Sequence, residues 1–334
     1  MTTPVFILGR ADVEMVAISD LLLENHFPVF QGIVRGKPAN VKSAYHLEAV
    51  RPKEGCDESL LSLLKKEDAE VVFIECDSES IRRRVEQTQH HYIQIDHHHP
   101  GDFGFETDPM WYLSGSSIGQ VLEYLVHHTD AALAEFEWVT VPEDELDGWE
   151  EPGITFNLTQ QEWQIQRFRN GSWERAPVPE RYRLVAAADH CLASAYQGMC
   201  PGVDPVTLRE WRLQTRAVRK EMSTDELRAI IDRTREKLRL LAQDGVADLT
   251  VYPKGTLPEA PEAAAQEQLA ILTSNDSYQG QYRKLSLVGS IAPERIQRWM
   301  DHQKSLNREV YGNPTRGYAG AIIHDDYQEE AFIP

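Results

Sequence analysis

The hydrophobic and polar positions in the first hundred residues change period repeatedly, and each change marks an element. Residues 4–9 (PVFILG) are an unbroken apolar run of strand length. Residues 13–26 (VEMVAISDLLLENH) place apolar side chains at helical spacing, and 28–34 (PVFQGIV) return to strand character, which completes one strand–helix–strand unit. After a polar stretch the pattern predicts a short helix at 59–65, a strand at 69–75 (AEVVFIE), a charged helix at 79–89 and a strand at 92–95 (YIQI). This alternation predicts an α/β fold with a doubly wound, mainly parallel sheet, whose ligands gather at the carboxyl ends of the strands.

A helix with a serine-rich start is expected at 116–127 (SSIGQVLEYLVH), and beyond it the pattern breaks. Residues 130–179 are rich in Trp, Glu and Pro, with alternating segments ITFNL and WQIQRF and a turn at Asn170-Gly171, and they predict a small β-rich insertion. Trp138, Trp149, Trp163 and Trp173 fall in this stretch, either as the core of the insertion or as a surface for a second copy or another protein. Helix resumes at 180–195, and 206–243 are almost continuously helical in composition. The segment PKGTLPEAP at 253–261 punctuates the chain; a short helix at 259–268, strands AILTS and KLSLVGS, a helix PERIQRWMDHQ and a closing GYAGAII follow. The expected division is a first domain at 1–222 carrying the insertion at 130–179, a helical linker at 223–252 and a smaller C-terminal α/β domain at 253–334.

Composition narrows the functional classes. With 41% hydrophobic and 26% charged residues and no long apolar run, the chain reads as soluble. The start MTTPVFILGR lacks the features of a secretory signal, so a cytoplasmic protein is expected. Cys56, Cys76, Cys191 and Cys200 show no C-x-x-C spacing and are too sparse for a disulfide framework. A net charge of -19 repels polyanions, which disfavours long DNA or RNA. Small phosphorylated ligands stay open, because bound metal ions can invert the local potential.

The candidate chemistry sits where the strands end. In IQIDHHHPGDFG an acid and three histidines follow a short apolar strand, and carboxylate with imidazole is a donor set for divalent metals. Asp12 and Glu14 follow FILG, Glu75 and Asp77 end VVFI, and Asp189 interrupts the apolar LVAAAD. Any one of these acids could be a helix cap or a satisfied polar group. Four such sites at similar places are harder to read as caps and polar loops than any one alone.

These motifs resemble, in order and over most of the first 200 residues, those of the DHH/DHHA1 phosphoesterases. That superfamily includes RecJ-type exonucleases, oligoribonucleases, cyclic-dinucleotide phosphodiesterases and, more distantly, family II pyrophosphatases. Asp96-His97-His98 matches the signature triplet, Asp12 and Glu14 fall on the first-strand acid pair, Glu75 on the second-motif acid and Asp189 on the fourth-motif acid. Ser116-Ser117-Ile118-Gly119 is similar to the helix start after the signature. Near the end, KLSLVGSIAPERIQRWM and the loop Arg316-Gly317-Tyr318-Ala319-Gly320-Ala321 resemble the DHHA1 strand, helix and glycine-rich substrate loop, with Tyr318 in place of a histidine.

The resemblance implies hydrolysis of a small phosphodiester, a short oligonucleotide or cyclic dinucleotide, at an interdomain cleft. It implies Mn2+ as cofactor at a two-metal site, with Mg2+ as the alternative. Glu75 would bridge the metals; Asp12, Glu14, His97 and Asp189 would complete their shells. His98 and Arg10 would polarise the phosphoryl oxygens, Asp96 would orient a ligand histidine, and Ser116, Arg316, Gly317 and Tyr318 would contact the substrate. There are departures. Arg10 stands where RecJ-type members have an acid, Leu8 where other members have a histidine, and Glu14 and Glu75 are each a methylene longer than aspartate. Arg10 is open to two roles, a phosphate clamp or a salt-bridge partner that neutralises the acids without metal. A catalytically impaired binding or assembly protein and a pyrophosphatase-like enzyme are the competing functions.

Overall fold

The computed structural model describes residues 3–40, 43–56, 58–66, 69–105, 107–142, 151–252, 256–276 and 282–324. The chain divides into two compact units, one of Met1–Thr107 and Trp111–His190, the other of Asp108–Met110 and Cys191–Pro334.

The first unit opens with β1 (Thr3–Leu8), α1 (Val13–Glu24), β2 (Val29–Val34), β3 (Lys37–Pro38), β4 (Ala49–Pro52), α2 (Leu60–Leu63), β5 (Ala69–Ile74), α3 (Glu79–Gln87) and β6 (His91–Ile95). The sheet runs β3-β2-β1-β5-β6, with β4 also on β2. Strands β2, β1, β5 and β6 are parallel, while β3 and β4 pair antiparallel with β2. Val5 and Ile7 of β1 pack with Val71 and Phe73 of β5 against Leu60 and Leu63 of α2 and Ile81 and Val85 of α3. The alternate residue Phe6 faces the other way, its ring 5.7 Å from that of Tyr124. Burial on both faces explains why apolar residues run consecutively along these strands instead of alternating. The expected doubly wound α/β class holds. The chain leaves β1 for β2 on one side and later adds β5 on the other, so the order reverses beside β1, where ligands of such sheets bind.

The unit continues with α4 (Tyr112–Gly115), α5 (Ser117–His128), β7 (Val139–Val141), β8 (Gly153–Asn157), β9 (Glu162–Arg169), β10 (Ser172–Pro177) and α6 (Glu180–His190). Helices α1, α5 and α6 pack together, and β7-β10-β9-β8 form an antiparallel sheet in the expected insertion. Its described tryptophans serve the unit's own packing. Trp163 is fully buried, with its ring 5.7 Å from Tyr112 and 5.4 Å from Phe156. Trp138 stacks on Phe136 beneath the Arg167 guanidinium, and Trp173 meets Phe168 edge-on. Trp149 lies outside the described residues.

The second unit holds α7 (Leu192–Tyr196), α8 (Pro205–Arg219), α9 (Thr224–Leu241), β11 (Ala242–Gln243), β12 (Val246–Asp248), α10 (Ala260–Gln266), β13 (Ala270–Asp276), β14 (Tyr282–Gly289), α11 (Pro293–Ser305), β15 (Glu309–Asn313) and β16 (Tyr318–His324). Its sheet runs β11-β12-β13-β14-β16-β15, parallel only between β12 and β13. Leu227, Ile231 and Leu238 of α9 and the alanines of α10 cover one face, and Ile296, Trp299 and Met300 of α11 cover the other.

Two predicted helices are interrupted. The stretch 180–195 breaks at Cys191, where φ is −154° and ψ 49°, and 206–243 breaks between α8 and α9. Glu221 there is left-handed and Ser223 caps α9 reciprocally with Glu226, a capping box legible as Ser-x-x-Glu. Among the described residues no helix is long and apolar enough to cross a membrane.

Candidate metal centre

Register brings three strand ends to one level. Leu8 pairs with Ile74, and Ile74 with Ile95, so the residues after β1, β5 and β6 emerge side by side. The approach is close. Gly9 N donates to Ile74 O at 3.0 Å, and a Cβ on Gly9 would stand 2.3 Å from the carbonyl oxygen of Glu75, so only glycine fits. Glu75, just past β5, donates its N–H to Ile95 O at 2.9 Å and takes φ +47°, a left-handed backbone that is strained for a side chain of its size.

Asp96 follows β6 and accepts from every side. Its Oδ1 receives His97 N (2.8 Å), His98 N (3.1 Å) and His98 Nδ1 (3.0 Å), and its Oδ2 receives Tyr45 Oη (2.9 Å). Burial opposes ionisation, but the hydrogen bond and charge of His98 outweigh it and hold the Asp96 carboxyl at about 2. The same contact, against burial, raises His98. Asp96 therefore fixes the turn and the His98 ring. His97 is fully buried and stacks on His98, with ring centroids 4.3 Å apart.

Three helices contribute the rest. Asp12 caps α1, its Oδ1 accepting from Met15 N at 2.9 Å, and it pairs with Arg10 through Oδ2. Glu14, on the buried face of α1, accepts Ile118 N at 2.9 Å on Oε1, while its buried Oε2 receives no donor among the described residues. Ser116 caps α5 and is fully buried, accepting Gly119 N and donating to Leu113 O. The next residue, Ser117, reaches the centre and donates to Glu75 Oε1 at 2.8 Å. Its single hydrogen thus used, Ser117 Oγ accepts from His97 Nδ1 at 3.3 Å, and His97 Nε2 is the nitrogen that meets Asp189 Oδ2 at 3.1 Å and Glu75 Oε1 at 3.9 Å. Asp189 belongs to the last turn of α6, where the helix dipole disfavours a negative charge.

Ligand atoms of Glu14, Glu75, His97 and Asp189 all lie within 4.8 Å of one another, and a second such group, Glu75, His97 and His98, shares two members with the first. Three carboxylates at this distance demand positive charge. Burial, then the charges of Asp189 and Glu75, hold Glu14 well above the usual range. Burial also raises Glu75, against the pull of His98 and His97, whereas the His97 contact overcomes burial to keep Asp189 below it. A divalent ion would relieve the repulsion: the donors are carboxylate oxygen and imidazole nitrogen, and the donor-less Glu14 Oε2 is available to it.

Of the expected metal ligands, the fold brings Glu14, Glu75, His97 and Asp189 together and directs Asp12 to the α1 cap and Arg10. Asp77 is held apart by Arg82 and its own turn, so Glu75 faces the centre. Ser116, expected at substrate, is committed to its cap, and Ser117 is the residue that the motif concealed. In the second unit, Arg316 and Gly317 line a cavity of about 450 Å³ with Ser194, Gln197 and Ser290, while Tyr318 opens β16, its ring centroid 5.8 Å from the Arg316 guanidinium. A third group, Asp96, His99 and Asp102, shares the signature loop.

No family model matches the chain, and no curated protein matches it. Among solved structures it is similar to a pGpG-specific phosphodiesterase, PggH from Vibrio cholerae, with 11% identity and a TM-score of 0.37 over 96% of this chain and 94% of the other.

Proposed function

We propose that the chain is a divalent-metal-dependent phosphoesterase of the DHH type that hydrolyses a small phosphodiester, a short oligonucleotide or cyclic dinucleotide. The convergence of Glu14, Glu75, His97 and Asp189 at level strand ends carries this reading. These four residues would hold the cation, and Glu75 with His98 would face a second position beside it. When bound, such ions lower the pKa of a coordinated water toward neutrality and offset charge on phosphoryl oxygens. The chain does the rest. Asp96 orients His98, Ser117 sets the tautomer of His97, and Arg10, its charge reinforced by Asp12 against burial, stands beside Asp189 and Glu75 as a cation toward a phosphoryl group. Mn2+ suits the mixed donors, with Mg2+ as the alternative. Arg316, Gly317 and Tyr318 would contact a nucleotide's base or terminal phosphate.

One observation favours a second reading. The Arg10–Asp12 pair takes a carboxylate out of the donor set, as expected of a DHH-like binding protein with impaired catalysis. Calorimetric titration with Mn2+, followed by turnover assays on short oligonucleotides, cyclic dinucleotides and pyrophosphate, separates the two. The enzyme reading expects Mn2+ binding, phosphodiester hydrolysis and a loss of at least about 100-fold in His97→Ala and Asp189→Asn. Binding without turnover on the whole panel supports the second reading. Turnover that persists in both variants removes the site.

A further inference from the structure

The cysteine spacings suggest no pairing, yet the fold brings two thiols into contact. Cys191 interrupts the helical run after α6, α7 follows it for five residues, and a turn through left-handed Gly198 folds the chain back. Ala195 N bonds to Cys191 O at 2.9 Å, Gly198 N to Ala195 O at 3.0 Å and Met199 N to Ser194 O at 3.0 Å, so the return is fixed by backbone bonds. Cys200 arrives with its Sγ 3.1 Å from that of Cys191, both side chains buried. Neither of the other cysteines has such a neighbour. Cys76 is buried with its Sγ 3.3 Å from Ile7 O, and Cys56 sits half-buried beside Glu58 O.

We infer that Cys191 and Cys200 form a reversible disulfide-forming pair, with a peroxide as oxidant, whose oxidation ties down one wall of the second unit's cavity. The separation exceeds a covalent S–S bond of about 2.05 Å by about 1 Å, a gap that side-chain rotation can close. One thiolate attacks the peroxide, breaking the O–O bond and leaving a sulfenic acid and hydroxide. The second thiol attacks that sulfur, and water leaves as the S–S bond forms. In total two thiols and one hydrogen peroxide give one disulfide and two waters, a two-electron oxidation. The ring closed in this way contains Ala193, Ser194, Gln197 and Met199, all of which line the cavity. Gln197 also bonds to Ser290 Oγ at 3.0 Å, so the cross-link stiffens a segment already attached to the opposite lining.

The test is to treat the folded full-length protein with hydrogen peroxide, alkylate it under denaturing conditions and map its peptides without reduction. Peptides containing Cys191 and Cys200 should be recovered linked, with a mass lower by about 2 Da, and dithiothreitol should restore two alkylatable thiols. Closing the loop should raise Tm on the order of 5 °C, a shift absent from Cys191→Ser and Cys200→Ser and retained in Cys76→Ser. Free, alkylatable Cys191 and Cys200 after excess peroxide, or over-oxidation to sulfinic acid without a link, overturns the proposal. The peptide map of the unsubstituted protein decides this even if a serine variant folds poorly.

Discussion

The two units set clusters of acidic side chains in different company. Among the described residues of the second, three acids drawn in from solvent are each neutralised within the chain. Glu262 accepts from Arg212 at 2.6 and 2.8 Å and from Tyr196 and Gln266; Glu259 is held by Arg216 and Lys220; Glu267 is held by Arg235 and Arg239. In the first, Glu14, Glu75 and Asp189 face one another and two histidines, with Arg10 committed to Asp12. The second cluster is balanced by arginine and lysine, whereas the first holds its carboxylates together without a dedicated basic side chain, which is the imbalance the proposed cation would correct.

The sharpest way to break this contrast is to neutralise one acid of each kind. Glu262→Ala strands the Arg212 guanidinium and should lower stability by about 3–5 kcal/mol in urea melts. Glu14→Gln, in cation-free buffer, relieves repulsion and should raise it by roughly 1 kcal/mol. Comparable losses in both variants would mean that the first unit's acids are structural too. An effect smaller than that of Glu262→Ala follows from adding the cation. Mn2+ at 100 times its dissociation constant should stabilise the native chain by about 2.7 kcal/mol, and Glu14→Gln or Asp189→Asn should erase most of that gain. An undiminished gain in both variants would place the cation elsewhere.

The smallest effect is in acid. Against burial, the charge and hydrogen bonds of Arg212 hold Glu262 below its ordinary value, and Lys220 and Arg216 do the same for Glu259. A carboxyl whose folded pKa lies below its unfolded value of about 4.3 contributes fully above that pH and loses its contribution as pH falls through the folded pKa. Calorimetric Tm should therefore drop below about pH 4.3, and less steeply in Glu262→Gln. Parallel slopes for the two proteins would assign the acid sensitivity to other groups.

Much of this arrangement was legible in the sequence, because strand ends are legible. An apolar run stops where the sheet stops, and the polar residues that follow Leu8, Ile74 and Ile95 emerge level because those three residues pair in register. Asp12 could not be resolved in this way. The position before a helix suits an aspartate that caps and an aspartate that binds metal, and here the cap and Arg10 engage it. Ser116 and Ser117 differ only in where the helix begins, and a shift of one residue exchanges cap for site. The Cys191–Cys200 contact depends on a break in a helix that composition reads as continuous.

The left-handed backbone of Glu75 bears on protein engineering. A sequence optimised for stability alone would favour glycine or asparagine at 75 and an uncharged side chain at 14, since each change relieves strain or repulsion. Such a redesign would be a hardier protein with an empty centre. Position 75 thus marks where thermostabilisation and the proposed metal centre pull apart, and any library aimed at the first should hold that residue fixed.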